Sequence, residues 1–437
     1  MHPLDTLDAL DTLHDWLDYI GRQHSAEIVM GLDRVRAVWE RMEKPQAPIN
    51  ILTGGTNGKG STCAMLEAVL HAAGYKTGFY SSPHLVRYNE RVRLGKKDAS
   101  DAQLIASFEA VELARLAHAD CATIPLTYFE FATLSALWIF QREKVDVAIL
   151  EVGLGGRLDA VNVIDADVSI VVSVDLDHQA YLGDTREKIG VEKAHIYRQH
   201  RPAIFADRDP PQSLIDHAQV IGADFQLLDR DYRYLVMDGQ WQFYGRNGTR
   251  HSLPCPALRG AYQLKNASAA RAALEALQDR LPVSQGQVKR GLLEVEWPGR
   301  LQVLPGRPVV VLDVAHNPHA ARALNDALGS MGFHPNTFAV FGMLNDKDID
   351  AVIDIIKGRI DFWFIAGLEA TAGPRGATVD ALAAKLDAHG LAGRYSRHAR
   401  IASAYAAARE KAGENDRILV FGSFHTVAEI LQLAEPN

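Results

Sequence analysis

Short apolar runs alternate with amphipathic segments along the first half of the chain. Leu10, Leu13 and Leu17 recur at steps of three and four, which predicts a helix over residues 7–20. The other clear segments are strands over 50–53, 77–80, 145–150 and 168–174 and helices over 61–73 and 129–141. These strands are apolar on both faces and are separated by helices, which is typical of a parallel sheet covered on both sides.

The pattern changes twice in the second half of the chain. Aromatic residues alternate over 229–250, with turns at 238–239 and 247–248, which indicates hairpins. An alanine-rich helix is predicted over 267–277, and a break follows at Pro298-Gly299. Beyond the break, predicted strands over 309–312, 337–341, 361–365 and 417–421 alternate with helices. We therefore predict an α/β protein with a large N-terminal parallel-sheet domain, residues 1–297, and a smaller Rossmann-like domain, residues 298–437.

Composition narrows the class of protein. The 437 residues are 47% apolar and 23% charged, as in folded proteins, and the formal net charge is −8. A negative net charge argues against a general nucleic-acid binder, which gains its affinity from cations that meet phosphates. No apolar run approaches the roughly 18 residues that span a membrane, and the acidic start lacks the features of a signal peptide. We expect neither nucleic acid nor a membrane as a partner.

The cysteines point to a compartment. Cys63, Cys121 and Cys255 are widely separated and form no CxxC pair, so neither a zinc ribbon nor a redox dithiol is indicated. A low, odd number of cysteines fits a reducing environment. We therefore expect a cytoplasmic protein.

The clearest chemical motif is a glycine-rich loop between a predicted strand and a predicted helix. Residues 53–62 have the sequence TGGTNGKGST. Glycines let backbone N–H groups turn towards phosphate oxygens, the helix N-terminus adds partial positive charge, and Lys59 supplies a full charge. A tight turn with a solvated lysine is the alternative. We predict a nucleotide-phosphate site formed by Gly55, Thr56, Asn57, Gly58, Lys59, Gly60 and Ser61.

Polar side chains also follow other predicted strands of the first domain. Glu151 ends the strand over 145–150, where ligands of open α/β sheets bind, and a carboxylate there is a natural Mg²⁺ ligand. His178 follows the next strand, and Ser82 follows the strand over 77–80. The alternatives are a capping role for Glu151 and a structural role for His178. Because histidine is unusual for Mg²⁺, these residues alone leave the identity of the metal open.

Four further residues have ordinary structural explanations. Lys193 has the pattern of a helical lysine paired with a local acid, and Arg300 that of a surface ion pair. Asn266 begins a predicted helix, where an N-cap role is expected. Asp313 ends the strand over 309–312, a suitable place to bind ribose hydroxyls.

A series of short motifs runs along nearly the whole chain in a fixed order. On these motifs and the variant phosphate loop, the chain resembles the folylpolyglutamate synthase and dihydrofolate synthase family of the Mur ligase superfamily, and most of all its bacterial bifunctional members. The matching motifs are SSPHL at 81–85, LTYFE at 126–130, EVGLGGRLDA at 151–160, DH at 177–178, EKA at 192–194, PGR at 298–300, DVAHNP at 313–318 and GSFHTV at 422–427.

This resemblance implies a Mur-ligase-like fold, with a P-loop-type ATPase domain and a C-terminal domain that contributes to a cleft for ATP and glutamate. It implies an ATP-dependent ligase that joins L-glutamate to 7,8-dihydropteroate and adds further glutamates to reduced folates. The carboxylate of the pterin substrate would attack the γ-phosphate to give an acyl phosphate, from which the amine of glutamate displaces phosphate. The cofactors would be ATP and two Mg²⁺ ions, and we expect a monomer.

The resemblance also implies which residues catalyse the reaction and bind metal. Ser82, Glu151 and His178 would hold one Mg²⁺, and a carbamylated Lys193 would help to place a second. Lys59, Lys193 and His316 would be the catalytic residues. His195 and Val161 stand where relatives usually have glycine and threonine, which changes the local geometry without removing a proposed ligand.

The remaining implied roles concern ATP and the other substrates. Besides the phosphate loop, ATP would contact Asn266 at the adenine, Arg300 at a phosphate once the domains close, and Asp313 at the ribose. The pterin or folate would contact Val29, Met30, Gly31, Thr127, Tyr128, Phe129, Glu130, Asp159 and Ala160. The incoming glutamate would contact Ser423 and His425.

Three alternatives compete with the bifunctional ligase. The first is a monofunctional folylpolyglutamate synthase, from which the segment over 127–130 distinguishes the chain only weakly. The second is a ligase of the superfamily that builds cell-wall precursors. The third, from another class, is a nucleotide-dependent switch or binding protein, which would explain the phosphate loop but not the DVAHNP motif of the second domain.

Overall fold

The chain divides into two compact units, which are described separately. The computed structural model describes residues 10–24, 28–116 and 122–434. The first unit comprises Met1–His84, Tyr88–Pro256 and Leu264–Val295, and the second comprises Leu85–Arg87, Ala257–Gln263 and Glu296–Asn437. The main division thus falls two residues before the predicted boundary, and two short segments of the predicted first domain belong to the second unit. Cys121 and the first residues of the helix predicted over 7–20 lie outside the described residues.

The first unit is built on a sheet in which eight strands are described. They are β1 (Asn50–Gly54), β2 (Thr77–Tyr80), β3 (Val92–Leu94), β4 (Lys97–Asp98), β5 (Val147–Glu151), β6 (Val168–Val171), β7 (Pro202–Phe205) and β8 (Asp224–Leu227). Their order is β4-β3-β2-β5-β1-β6-β7-β8. β3 and β4 pair antiparallel at one edge, whereas the other strands are parallel. β1, β2, β5 and β6 are buried on both faces, as the apolar runs predicted.

The described helices of the first unit pack against this sheet and against one another. They are α1 (Leu13–Gly21), α2 (Asp33–Arg41), α3 (Lys59–Ala72), α4 (Asp101–Arg115), α5 (Tyr128–Arg142), α6 (Gln179–Leu182), α7 (Arg186–Ala194), α8 (Gln212–Val220), α9 (Tyr262–Ala276) and α10 (Gln285–Glu294). Side chains of Thr12, Ser100 and Thr127 cap α1, α4 and α5 through capping boxes. Helix α3, which follows the glycine-rich loop, is buried almost throughout its length.

Helix α9 differs from its prediction. It begins at Tyr262 rather than at residue 267, so Asn266 lies inside the helix and the expected N-cap role is wrong. Gly260 has a φ of 103°, and its carbonyl accepts a hydrogen bond from the Gln263 N–H at 3.0 Å. The helix therefore starts at this glycine turn and not at the alanine-rich sequence that carried the prediction.

The hairpins predicted over 229–250 form a small antiparallel sheet in the first unit. Its described strands are β9 (Arg233–Met237), β10 (Gln240–Gly245) and β11 (Gly248–Pro254). Trp241, Phe243 and Leu253 are fully buried beneath it, whereas most side chains of β9 are exposed. The alternation of aromatic and polar residues thus reflects one covered face and one solvated face.

The second unit is a smaller α/β layer structure. Its described strands are β12 (Gln302–Leu304), β13 (Val309–Asp313), β14 (Thr337–Phe341), β15 (Phe362–Ala366), β16 (Tyr395–His398) and β17 (Arg417–Phe421). They form a sheet in the order β12-β13-β17-β14-β15-β16, with only β12 antiparallel among the described strands. The described helices are α11 (Pro318–Ser330), α12 (Ile349–Ile356), α13 (Glu369–Ala372), α14 (Val379–Ala388), α15 (Ile401–Lys411) and α16 (Phe424–Ala434).

The edge strands β12 and β16 were not predicted from the sequence. Both are half-exposed, and β16 has the sequence YSRH, so neither carries the apolar pattern that marked the central strands. The central strands were predicted because they are buried on both faces.

In the described residues of both units, no helix combines the length and the apolar character that crossing a membrane requires.

Candidate active site

The glycine-rich loop connects β1 to α3 and is held against the end of β6. The Thr56 N–H donates to the Ser173 carbonyl at 2.8 Å, and the Asn57 N–H donates to Ser173 Oγ at 3.1 Å. Thr56 Oγ1 donates to the Asp175 carbonyl at 3.1 Å. These contacts hold the loop in place at the N-terminus of α3, where phosphate oxygens are stabilised by backbone N–H groups.

Two lysines meet at one carbonyl of this loop. Lys59 Nζ donates to the Gly55 carbonyl at 3.1 Å, and Lys193 Nζ, from α7, donates to the same oxygen at 3.0 Å. Burial, together with the positive charge of Lys59, lowers the pKa of the Lys193 ammonium to about 7, although Asp177 and Asp159 oppose this shift. The helical lysine is therefore buried beneath the phosphate loop rather than paired with a local acid on the surface.

The predicted metal ligands follow β2, β5 and β6, of which β2 and β5 are neighbours and β6 lies on the far side of β1. Glu151 is the last residue of β5, is buried, and lies in register beside Thr53 at the start of the loop. Ser82 follows β2, which pairs with the other side of β5. His178 follows β6 and precedes α6 with a φ of 50°, and its N–H donates to Asp177 Oδ1 at 2.9 Å. The parallel register thus brings the three strand ends to the same edge of the sheet.

This donor set mixes a carboxylate, a hydroxyl and an imidazole. In the described part of the chain, no group of three or more His, Cys, Asp or Glu side chains could hold a metal ion. The predicted set contains only two such side chains and a serine. A hard divalent cation that keeps water or phosphate oxygens as its remaining ligands fits this composition.

The predicted pterin segments converge around Asp159. Asp159 accepts hydrogen bonds from the Leu154 N–H at 2.8 Å and the Val161 N–H at 3.0 Å. Burial raises the pKa of this carboxyl to about 6, although these hydrogen bonds and the charge of Lys59 oppose the shift. A Cβ on Gly153 would lie 2.6 Å from the Phe129 ring, and one on Gly155 would lie 3.7 Å from Met30 Cε. Segments 29–31, 127–130 and 153–160 therefore lie together.

Glu130 anchors this region from within. It is buried, and its Oε2 accepts the Thr127 N–H at 2.7 Å, as part of the capping box of α5. Its Oε1 accepts Arg34 Nη2 at 2.7 Å, and the same Nη2 donates to the Val29 carbonyl at 3.1 Å. The ion pair thus ties segment 29–31 to the start of α5, so Glu130 holds these two predicted pterin segments together.

Asn266 lies against the phosphate loop despite its wrongly predicted helix position. It is buried in α9, and a Cβ on Gly58 would lie 2.7 Å from Asn266 Oδ1. Gly58 also has a φ of 89°, so both its backbone conformation and the space around it require glycine. The amide of Asn266 therefore borders the predicted nucleotide site.

The predicted residues of the second unit lie where its parallel strands end. Asp313 ends β13, and its two carboxylate oxygens accept the Leu301 and Ala315 N–H groups, both at 2.8 Å. Burial raises the pKa of this carboxyl, against the charge of Arg300. The Arg300 guanidinium stacks 5.1 Å from the Phe424 ring centroid. Arg300 therefore lies beside Asp313 and the Phe424 ring.

Two histidines of the second unit differ in their surroundings. His316 Nδ1 lies 2.8 Å from the Val314 carbonyl, which places a proton on this nitrogen and, in the neutral ring, leaves Nε2 as the acceptor. Burial, with the charge of Arg375, lowers the pKa of His425. The His425 N–H donates to Ser423 Oγ at 3.2 Å at the start of α16.

Sequence reasoning missed several residues of these sites. Arg34 is 96 positions from Glu130, and Asp177 was recognised only as part of a motif. Arg91 lies beside the Tyr88 and Tyr128 rings, and its carbonyl accepts the Ser81 N–H next to Ser82. Of these residues, only Asp177 carried a signal in the local sequence, because it directly precedes His178. Contacts between residues far apart in the chain leave no periodic pattern in the sequence.

Family models match most of the chain. The Mur ligase middle domain matches residues 53–274, and the glutamate ligase domain of Mur ligases matches residues 299–424. The dihydrofolate synthase/folylpolyglutamate synthase of Escherichia coli K12 is 44% identical over 432 residues, which cover 98% of this chain and 97% of the relative. The corresponding protein of Haemophilus influenzae is 38% identical and covers 98% and 99%.

Solved structures agree with these relatives. Escherichia coli FolC in complex with DHPP and ADP has a TM-score of 0.90 at 44% identity and covers 98% of both chains. A bifunctional folylpolyglutamate synthase/dihydrofolate synthase with Mn, AMPPNP and L-glutamate bound has a TM-score of 0.88 at 41% identity, again with 98% of both chains covered. The fold is therefore Mur-ligase-like, and the chain belongs to the dihydrofolate synthase/folylpolyglutamate synthase family of ATP-dependent Mur ligases.

Proposed function

We propose that this protein joins L-glutamate to 7,8-dihydropteroate and adds further glutamates to reduced folates, with ATP as the energy source. One observation carries the proposal. The phosphate loop, with Lys59 and Lys193 on the Gly55 carbonyl, lies within electrostatic reach of Asp159 in the pterin segments. A phosphate donor and a pterin-bearing carboxylate can therefore be held close together. The monofunctional synthase is the competing proposal, and the relatives named above are bifunctional.

The chemistry requires two anions to meet. We propose that a substrate carboxylate oxygen attacks the γ-phosphorus of ATP, ADP leaves, and an acyl phosphate forms. The amine of glutamate then attacks the acyl carbon, loses a proton, and releases phosphate with formation of the amide. Lys59 and the loop N–H groups spread the negative charge during the first step. His316, whose Nε2 is the acceptor, accepts the proton of the amine in the second step.

Ser82, Glu151 and His178 would hold Mg²⁺ at the phosphate end of the site. Bound there, the ion would neutralise charge on the phosphate oxygens. Asn266 would contact the adenine beside Gly58, Asp313 the ribose, Arg300 a phosphate, and Ser423 with His425 the incoming glutamate. We further propose that the protein acts as a cytoplasmic monomer.

Lys193 suits carbamylation. A pKa of about 7 leaves a large share of its amine neutral at neutral pH, and only the neutral amine attacks CO₂. The new N–C bond and the loss of one proton turn the amine into an anion, which the neighbouring Lys59 stabilises and which could help to hold a second Mg²⁺. Protein equilibrated with ¹³C-bicarbonate should show a carbamate carbon signal that Lys193→Met lacks and Lys188→Met keeps. A signal retained in Lys193→Met would overturn this assignment.

Phosphate release from ATP tests the function. Dihydropteroate and L-glutamate are supplied singly and together, and tetrahydrofolate then replaces dihydropteroate. The bifunctional ligase is supported if glutamate-dependent turnover occurs both with dihydropteroate and with tetrahydrofolate. If glutamate-dependent turnover occurs with tetrahydrofolate but not with dihydropteroate, the protein is the monofunctional synthase. ATP turnover independent of glutamate and pterin would instead favour a nucleotide-dependent switch. Hydroxylamine should trap the acyl phosphate as a hydroxamate.

A further inference from the structure

Arg91 is a nearly buried cation in an aromatic setting. Only 9% of the residue is exposed, and its guanidinium carbon lies 5.5 Å from the ring centroids of both Tyr88 and Tyr128. Its Nε donates to His84 Nδ1 at 2.8 Å. The guanidinium therefore lies beside both rings, whose centroids are 6.0 Å apart and whose planes are nearly perpendicular, and its Nε edge is fixed by His84.

Two other largely buried arginines of the first unit have carboxylate partners, whereas Arg271, also buried, lies over the Phe243 ring, and its Nη1, which has no hydrogen-bond partner in the described part of the chain, is sealed from solvent. Arg93 lies two residues along the chain and pairs with Glu67 at 3.2 Å, and Arg115 pairs with Glu112 at 2.6 Å. Among the residues that the structure describes, Arg91 pairs with no carboxylate and its Nη atoms have no hydrogen-bond partner. Neither Nη atom is sealed from solvent.

The neighbours of Arg91 do not neutralise its charge. Burial raises the pKa of the Tyr88 phenol and that of the Tyr128 phenol, so both rings stay neutral. His84 accepts a hydrogen bond at Nδ1, which requires a neutral ring at that nitrogen. A buried charge without a counter-ion is costly, and such a group suits an anion that arrives with a ligand.

The backbone places this cation beside the proposed active site. Arg91 ends the 3-10 turn Tyr88–Arg91, and its carbonyl accepts the Ser81 N–H at 3.0 Å, one residue from Ser82. Tyr128, whose ring the guanidinium also approaches, adjoins Phe129 of the predicted pterin segments. The guanidinium is thus linked to both the proposed metal ligands and the proposed pterin contacts.

We propose that Arg91 binds a substrate carboxylate that does not itself react. This inference rests on the proposed function, since it assigns a glutamyl carboxylate to the same site. Two Nη groups in one plane match the two oxygens of a carboxylate, and the hydrogen bond from Nε to His84 restrains that plane. The carboxylate belongs either to the incoming L-glutamate or to the glutamate tail of the folate substrate.

Steady-state kinetics of Arg91→Gln and Arg91→Lys test the proposal. Arg91→Gln removes the charge-assisted bidentate contact and should raise the affected KM about 10- to 100-fold. Arg91→Lys should raise it less, because lysine keeps the positive charge but not the two parallel N–H donors. A raised KM for L-glutamate in both reactions, with hydroxamate formation from dihydropteroate unchanged, identifies the incoming amino acid. A raised KM for tetrahydrofolate, with the dihydropteroate reaction unchanged, identifies the tail.

Arg93→Lys is the matched control, because it retains a cation for Glu67 two residues away and should leave every KM unchanged. Thermal unfolding of all variants separates misfolding from lost binding. The inference is overturned if folded Arg91 variants keep every KM, or if they lose hydroxamate formation from dihydropteroate. The proposed function is judged separately, since it fails only if the unmodified protein shows no turnover that depends on glutamate.

Discussion

The carboxyl ends of the two sheets place polar residues in different electrostatic settings. In the first unit, buried charged groups are shifted towards neutrality: the pKa of Lys193 falls to about 7 and that of Asp159 rises to about 6. In the second unit, burial also raises the pKa of Asp313, which like Asp159 accepts two backbone N–H groups. Asn317 caps α11 by accepting the Ala320 N–H at 2.9 Å. The difference between the two edges is Lys193, a buried amine beneath the phosphate loop of the first unit.

This difference indicates a division of labour between the two units. Buried ionisable groups lower the stability of the folded state, and proteins retain them where the chemistry of an active site needs them. Side chains that bond to neighbouring backbone stabilise a loop conformation and present it to a ligand. We therefore expect substitutions in the first unit to affect turnover most and, apart from the proposed proton acceptor His316, those in the second unit to affect binding and local stability.

The largest expected effect is on turnover. Lys59→Met should reduce kcat about 1,000-fold, because it removes a fixed cation from the phosphate loop where negative charge accumulates. Asp313→Asn should reduce kcat no more than about 10-fold and raise the KM for ATP, since the amide retains one acceptor oxygen for its backbone partners. Phosphate release under saturating substrates measures both. Equal losses of kcat in the two variants would contradict the division of labour.

The second prediction concerns the pH dependence of stability. The ordinary pKa of a lysine is 10.5, and that of Lys193 in the folded protein is about 7. Between these values the unfolded chain binds the extra proton, so Lys193 lowers stability below pH 7 and this cost disappears as pH rises towards 10.5. Lys193→Met should therefore raise the free energy of unfolding by about 2 kcal/mol at slightly acidic pH and by less at alkaline pH.

Urea unfolding in buffers depleted of CO₂ measures this effect without carbamylation. Lys188→Met is the control, because this lysine lies on the same helix but is exposed and pairs with Asp184 at 2.8 Å. Its removal should leave the pH profile almost unchanged. A gain for Lys193→Met that did not shrink with rising pH would show that packing, and not the buried charge, causes it.

These contrasts also show what the sequence could and could not predict. The phosphate loop, Glu151 and Asp313 were found because each lies next to an apolar strand, and parallel strands bring such ends to one edge. The contact between Lys193 and Gly55 spans 138 positions, and the pair of Arg34 and Glu130 spans 96. Such contacts depend on how helices pack on the sheet, which periodicity does not encode. The start of α9 was misplaced because composition, not a turn, guided the prediction.

A smaller effect concerns the fit of the phosphate loop against Asn266. Gly58→Ala and Gly74→Ala both place a side chain at a φ near 90°, but only the Cβ at position 58 would meet other atoms, with Asn266 Oδ1 at 2.7 Å. Gly74→Ala should cost about 1 kcal/mol of stability from backbone strain. Gly58→Ala should cost about 1.5 kcal/mol more through crowding and should raise the KM for ATP. Identical melting temperatures would show that the loop and α9 adjust without strain.

The smallest expected effect tests whether the second unit contributes scaffolding at Asn317. Asn317→Ala removes the side-chain oxygen that accepts the Ala320 N–H and should cost about 1 kcal/mol of stability, whereas Asn317→Asp keeps an acceptor and should cost only a few tenths. If Asn317 serves α11 alone, both variants keep their KM values once measured well below their melting temperatures. A raised KM for ATP or glutamate in the alanine variant, beyond the loss of folded protein, would instead place the amide in contact with a substrate. The carboxyl edge of the second sheet would then contact a substrate directly, as we propose for that of the first sheet.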